Sequence, residues 1–147
     1  MNIYLGSDHA GYVLRKKIGK YLLEKGYDVE DLGCITPESC DYSEFAVKVG
    51  KAVVKKKGSM GVVICGSGLG VSMAANKVKG IRAALCNSIE LAKLAREHNG
   101  ANVLALGERT KFFDDPIKIL DTFLKIPENM EERHVKRRKQ LDRLGGK

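Results

Sequence analysis

The chain has 147 residues, 44% of them hydrophobic and 30% charged, and no apolar run approaches the ~20 residues that a membrane span requires, so one domain with a real core is expected. The start MNIYLGSDHA has no basic stretch followed by an apolar core; it does not read as a secretory leader, and a cytoplasmic location is expected. Net charge is +8, and half of that excess falls in the last 17 residues, where seven Lys or Arg face three acids; with aromatics at 6% and none in that tail, a small anion is favoured over nucleic acid or a membrane surface as the partner.

Strand-like and helix-like segments alternate from end to end. NIYLGS (2–7) reads as a strand. GYVLRKKIGKYLLEK (11–25) carries a helical stripe through Val13, Leu14, Ile18, Tyr21 and Leu22, closed by Gly26. DVEDLG (28–33) is a second strand. Asp41 and Glu44 have capping-box spacing before a helix that ends near Gly58. GVVIC (61–65) is a third strand, a helix begins inside GVSMAANK, and IRAALC (81–86) is a fourth strand. SIELAKLAREHN (88–99) is a helix that Ser88 can cap, NVLALG (102–107) is the fifth strand, and Asp115-Pro116 opens the next helix. A basic helix over about 129–144 closes the chain. Repeated βα units with apolar strands imply a parallel sheet covered on both faces. The expected fold is a three-layer α/β/α sandwich, Rossmann-like, with about five parallel strands and a C-terminal basic helix, in a single domain over 1–147.

In such sheets ligands bind beyond the carboxyl ends of the strands. That rule selects Ser7-Asp8-His9, Gly33-Cys34, Cys65 to Gly70, Cys86-Asn87 and Gly107 to Thr110. His98 and Asn99 precede the fifth strand, and the sequence alone leaves open which edge they reach. GSGLG (66–70) can turn its backbone N–H groups inward and open a helix there, which makes a place for an anion or an oxyanion. Val71 breaks the dinucleotide pattern G-x-G-x-x-G, and no phosphate-loop G-K-[ST] follows.

Cys65 ends the third strand at the mouth of that turn, where N–H dipoles favour a thiolate that serves as base or nucleophile; ordinary core sulfur is the plain alternative. The four cysteines, Cys34, Cys40, Cys65 and Cys86, form no C-x-x-C pair, so free thiols rather than a zinc framework are expected, with Cys86 simply buried. Asp8 either caps a helix or accepts from a hydroxyl, His9 either binds an anion or sits at a helix start, and His98 either passes protons or closes a helix against its dipole. Arg109 is well placed for an anion. In RHVKR, Arg133 and Arg137 lie four apart, so they share a helix face that either clamps one phosphate or is merely solvated.

Together GSDHAG (6–11), DY (41–42), CGSGLGVSMAANK (65–77), GIRAAL (80–85), AREHNGANVLALGER (95–109) and RHVKR (133–137) resemble the type B ribose-5-phosphate isomerases, within a wider family of sugar-phosphate isomerases that includes galactose-6-phosphate isomerase. The resemblance covers nearly the whole chain. It implies interconversion of ribose 5-phosphate and ribulose 5-phosphate by ring opening and proton transfer through a cis-enediolate. It implies no metal and no other cofactor, and a homodimer or dimer of dimers with shared active sites, onto whose partner subunit the C-terminal helix packs. Carried over residue by residue, it makes Cys65 the base, His98 the ring-opening group and Ser67 a hydroxyl standing where the family usually has threonine. Gly66, Ser67, Gly68, Leu69 and Gly70 become the loop that holds the enediolate oxygen. Asp8, His9, Tyr42 and Asn99 become substrate contacts, and Arg109, Arg133 and Arg137 phosphate binders, the last two acting across a dimer interface. Gly100 departs from the family's pattern beside His98. Three rival readings stand beside this one: an isomerase of a six-carbon aldose 6-phosphate such as allose or galactose 6-phosphate, a thiol hydrolase or transferase, and a binder of nucleotide or nucleic acid through the basic tail.

Overall fold

A computed structural model describes residues 1–145; Gly146 and Lys147, the end of the expected domain, lie outside the described residues. Five strands, β1 (Asn2–Ser7), β2 (Asp28–Asp31), β3 (Met60–Cys65), β4 (Ala83–Leu85) and β5 (Val103–Gly107), form one sheet in the order β2-β1-β3-β5-β4. Every pairing is parallel. Six helices flank it: α1 (Tyr12–Glu24), α2 (Tyr42–Lys55), α3 (Leu69–Ala75), α4 (Ile89–Glu97), α5 (Pro116–Lys125) and α6 (Glu132–Arg143). The strand order reverses direction between β1 and β3, which opens a crevice between their carboxyl ends.

Side-chain alternation divides the core into two sheets of contact. Ile3, Leu5, Val62, Ile64, Leu104 and Leu106 face α1, α4 and α5, while Tyr4, Val63, Cys65, Val103 and Ala105 face α2 and α3. The expected three layers are therefore present. The Cys65 side chain belongs to the α2–α3 face. Gly6 and Gly61 let α2 approach closely, since a Cβ on either would lie 2.6 Å from a Val49 methyl. That approach brings Tyr42, the first residue of α2, over the end of β3.

Several local expectations are corrected. β2 stops at Asp31 rather than residue 33, and β4 spans 83–85 rather than 81–86. In α1 the stripe residue Val13 is exposed, while Arg15 is buried. Its guanidinium meets Asp31 at 3.0 Å and Ser7 Oγ at 2.6 Å and also donates to the Cys34 carbonyl, so paired charge takes a core position that apolarity alone assigns to valine. Asp41 is the N-cap of α2, but its side chain makes no capping bond, and Glu44 pairs with Lys48 at 2.7 Å instead of reaching back. The helix ends at Lys55, before the turn through Gly58. The basic helix is shorter than 129–144 because Asn129 Oδ1 accepts from the Glu131 N–H at 2.8 Å and makes a turn there. Other expectations hold: Ser88 caps α4 through the Leu91 N–H at 3.2 Å, and Asp115 caps the helix that Pro116 opens. Cys86 is buried, which pushes its thiol up to about 12. Among the described residues, no helix is long and apolar enough to cross a membrane.

Candidate active site

The crevice between β1 and β3 holds a cleft of about 430 Å³ lined by Asp8, His9, Ala10, Tyr42, Cys65, Gly66, Ser67, Gly70 and Arg109. Three strand ends supply it. After β1 the chain makes one 3-10 turn, His9–Gly11, capped by Asp8 Oδ1, which accepts from the Gly11 N–H at 3.2 Å. Capping and cleft-lining are thus not alternatives for Asp8: one carboxylate oxygen fixes the turn in a side chain that also borders the cleft. His9 Nδ1 accepts from the Cys40 N–H at 3.2 Å. With Nδ1 so occupied, the proton of a neutral ring resides on Nε2, which is then a donor.

At the end of β3 the glycine turn wraps around sulfur. Gly68 takes φ +77°, the left-handed region that glycine tolerates, and this points its N–H at Cys65 Sγ, 3.1 Å away. The sulfur is nearly fully buried, yet it lies on the cleft wall and accepts from a backbone donor. Ser67 Oγ accepts from the Leu69 N–H at 3.2 Å, leaving its own O–H free to donate. Two N–H groups of the expected oxyanion loop are therefore engaged within the loop. Leu69 itself opens α3 with an exposed side chain and does not line the cleft. The Tyr42 ring lies so close over Gly70 that a Cβ there would fall 2.6 Å from it.

After β5, the Glu108 N–H donates to the Cys65 carbonyl and the Arg109 N–H to the Gly66 carbonyl, each at 2.9 Å. Glu108 in turn accepts from the Leu14 N–H at 2.9 Å and caps α1 from outside the helix. Burial pushes its carboxyl up from the usual range, against the pull of the Leu14 N–H and Arg109. Glu108 and Arg15 bind the three strand ends together, and neither was singled out from the sequence. For Glu108 the available signal is its place in the 107–110 stretch at the carboxyl end of the fifth strand.

His98, Asn99, Arg133 and Arg137 are elsewhere. His98 caps the C-terminus of α4, with its N–H donating to Leu94 O at 2.9 Å, and the chain then enters β5 from its amino end. Cys65 pairs with Gly107 while Gly61 pairs with Val103, so the two groups are separated by roughly 13 Å of strand, four steps of ~3.3 Å. Asn99 borders a second cleft with Arg82, Leu141 and Asp142 on that amino edge. α6 is fastened there by the Arg82–Asp142 pair and by Arg138. Arg133 is exposed and paired with Glu131 at 3.0 Å, and Arg137 is also exposed. One chain thus gathers Asp8, His9, Tyr42, Cys65, Gly66, Ser67, Gly70 and Arg109 at one edge of the sheet, and His98, Asn99, Arg133 and Arg137 at the other.

The model of the Ribose/Galactose Isomerase family matches residues 3–141. The chain belongs to this family. It is 47% identical over 126 residues to a probable ribose-5-phosphate isomerase B of Mycoplasma genitalium, covering 84% of this chain and 83% of that one. Its fold superposes on ribose-5-phosphate isomerase B of Clostridium thermocellum with a TM-score of 0.92 and 48% identity, over 97% of this chain and 96% of that one. The type B ribose 5-phosphate isomerase of Trypanosoma cruzi gives a TM-score of 0.91 at 39% identity, over 97% of both chains. As a member of this sugar-phosphate isomerase family, the chain needs a base, oxyanion donors and an anion site in one cleft. The carboxyl-edge cleft contains residue types suited to each.

Proposed function

We propose that this chain is an aldose–ketose isomerase that interconverts ribose 5-phosphate and ribulose 5-phosphate, with Cys65 as the base. The observation that carries the reading is the sulfur of Cys65, which lines one cleft together with Ser67 and Arg109 and accepts from the Gly68 N–H. The closed sugar is first opened to expose its C1 aldehyde. Cys65 then takes the proton from C2, and the electron pair moves to form the C1–C2 double bond of an enediolate, placing negative charge on O1. Donors already in position stabilise that charge, each worth about 3 kcal/mol. Gly66, Ser67 and Gly70 border the place where it forms. Return of the proton to C1 and transfer of the O2 proton to O1 complete the ketose. Asp8 and Tyr42 accept from or donate to sugar hydroxyls, and the His9 Nε2–H and Arg109 serve the anionic end.

The ring-opening group must act within a few ångströms of the same C1 that Cys65 serves, so His98 of the same chain is out of reach. The reading therefore includes a second copy, whose amino-edge residues His98, Asn99, Arg133 and Arg137 complete the cleft, the two arginines holding phosphate. The test is conversion of ribose 5-phosphate with chelator present, for wild type and Cys65→Ala. Turnover that collapses in the variant supports the reading; equal turnover by both removes Cys65 as base. Mixed dimers of Cys65→Ala and Arg137→Ala subunits recover activity if sites are shared. No recovery in verified hybrids sinks the sharing.

A further inference from the structure

Two imidazoles stack where α6 meets the end of α4. The rings of His98 and His134 lie 4.4 Å apart, centroid to centroid, with 11° between their planes. His134 is 5% exposed, and among the described residues its Nε2 is a buried side-chain nitrogen with no hydrogen-bond partner. Buried imidazoles ordinarily satisfy both ring nitrogens. Burial pushes the His134 pKa down, as do the nearby His98, Arg133 and Arg137, against Glu131, so the ring is neutral at pH 7. A neutral ring can lie flat against His98 without like-charge repulsion.

The backbone on either side is fixed. Arg138, one turn beyond His134, is buried and donates to the His98 carbonyl at 3.4 Å and the Asn129 carbonyl at 2.9 Å, while its Nε pairs with Glu128 at 3.2 Å. The Asn129 N–H donates to the Glu97 carbonyl at 2.9 Å. At Gly100 a Cβ would fall 2.6 Å from Arg138 Cδ, so a larger residue there would press on the same clamp. The peptide of His98 is therefore held by Arg138. Its exposed side chain lies flat against the buried His134 ring, a contact that favours one ring orientation.

We propose that His134 is a positioning residue for ring opening: its buried ring, through the stack, holds the His98 imidazole in the orientation that moves a proton from the C1 hydroxyl to the ring oxygen as the C1–O4 bond breaks and the C1 carbonyl forms. The inference rests on the reading of His98 as the ring-opening group. It does not involve Cys65, and this separates the two steps experimentally. Ribulose 5-phosphate has its C5 hydroxyl esterified and forms no furanose, so exchange of its C1 hydrogen with deuterium oxide requires the base but no ring opening.

The experiment measures ribose 5-phosphate turnover and C1 exchange of ribulose 5-phosphate for wild type, His134→Ala, His134→Phe and His98→Ala, each as the full chain. His134→Ala is expected to lose roughly 10- to 100-fold in ribose 5-phosphate kcat, the scale of a misplaced catalytic group, while keeping C1 exchange within about twofold. His134→Phe, which retains a flat ring and no nitrogen, is expected to recover turnover to within about threefold of wild type. The proposal is overturned if His134→Ala keeps full turnover, if it loses turnover and exchange in equal measure, or if the phenylalanine variant is as slow as the alanine one. A His98→Ala protein that keeps full turnover overturns the role of His98, and with it this proposal, and does so independently of any His134 result.

Discussion

Gly68→Ala tests whether the glycine turn is held by backbone geometry. Gly68 has φ +77° and ψ −12°, where a residue bearing a Cβ costs roughly 1–2 kcal/mol. Space adds to this. The new Cβ would collide with Leu85 Cδ1 and would lie 2.9 Å from the Leu106 carbonyl carbon and 3.0 Å from Gly107 N. The leucine methyl can rotate away. The backbone of β5 cannot, because that strand lies between β3 and β4 in the sheet. Overpacking of this kind costs about 1–3 kcal/mol, so the total expected for Gly68→Ala is about 2–5 kcal/mol. Gly66 is the control, since its nearest atoms, Ala10 Cβ and Arg109 Cδ, are 3.6 Å away and its φ is not positive; Gly66→Ala should cost at most about 1 kcal/mol. Equilibrium urea unfolding at one subunit concentration measures both. Under conditions where the variant is folded, its kcat should also fall, because displacement of the Gly68 N–H removes a donor from the Cys65 sulfur. A Gly68→Ala protein within about 1 kcal/mol of both wild type and Gly66→Ala would refute the argument.

Three further outcomes are expected. Glu108 has a raised carboxyl pKa, so its favourable contribution is present below the unfolded value of ~4.3 and is lost as pH rises through the higher folded value. Glu108→Gln keeps an acceptor for the Leu14 N–H and should be more stable than wild type at pH 7, with a gain that shrinks toward pH 4; a gain that is constant or grows on acidification in urea unfolding refutes this. Arg15→Met strands Ser7 Oγ and the Cys34 carbonyl and leaves Asp31 the exposed Lys16 as its paired cation beside the Gly33 N–H, so a loss of about 2–5 kcal/mol is expected, and a urea midpoint equal to wild type would refute it. Cys86, with its thiol pushed up to about 12, should be alkylated by iodoacetamide far more slowly at pH 8 than half-buried Cys40, as read by peptide mass; equal rates would refute its burial.

Most of the carboxyl-edge cleft was legible in the sequence because its parts follow from local strand and turn signals plus the sheet-edge rule; Tyr42 entered only through the family resemblance. A strand ending in Cys65, a glycine turn after it and a helix after that can be read from one stretch, and the parallel-sheet rule then brings Asp8 and Arg109 beside it. Arg15, Glu108, His134 and Arg138 were not legible for a common reason. Each meets a group distant in sequence: Arg15 bonds to the loop at Cys34, Glu108 to the first turn of α1 and Arg138 to the end of α4, while His134 stacks on the His98 ring. Hydrophobic periodicity assigns polar residues to the surface, so it chose Val13 over Arg15. It leaves α6 a basic face, phosphate-clamping or solvated, and gives no sign that the helix buries His134 and Arg138.

The separation of the two halves of the motif set follows from the direction of the chain. In a parallel sheet every segment that leaves a strand lies at one edge and every segment that enters one lies at the other. Residues 8–11, 66–68 and 108–115 leave strands, whereas 98–102 enters one. No rotamer change in His98 or Arg137 crosses the sheet to Cys65. A twofold-related copy can present its entering edge to the leaving edge of its neighbour, and the same operation then completes both sites at once. On this view the polar character of α6 has a cause. A helix that covered its own core would carry an apolar stripe; this one buries only His134 and Arg138 and leaves Arg133 and Arg137 exposed. Of its buried residues, Arg138 donates to the His98 carbonyl and His134 stacks on the His98 ring; of its exposed arginines, Arg133 pairs with Glu131 on the surface. Under the proposed shared site, the helix would serve a cleft on the neighbouring copy, which is what the Cys65→Ala and Arg137→Ala hybrids test.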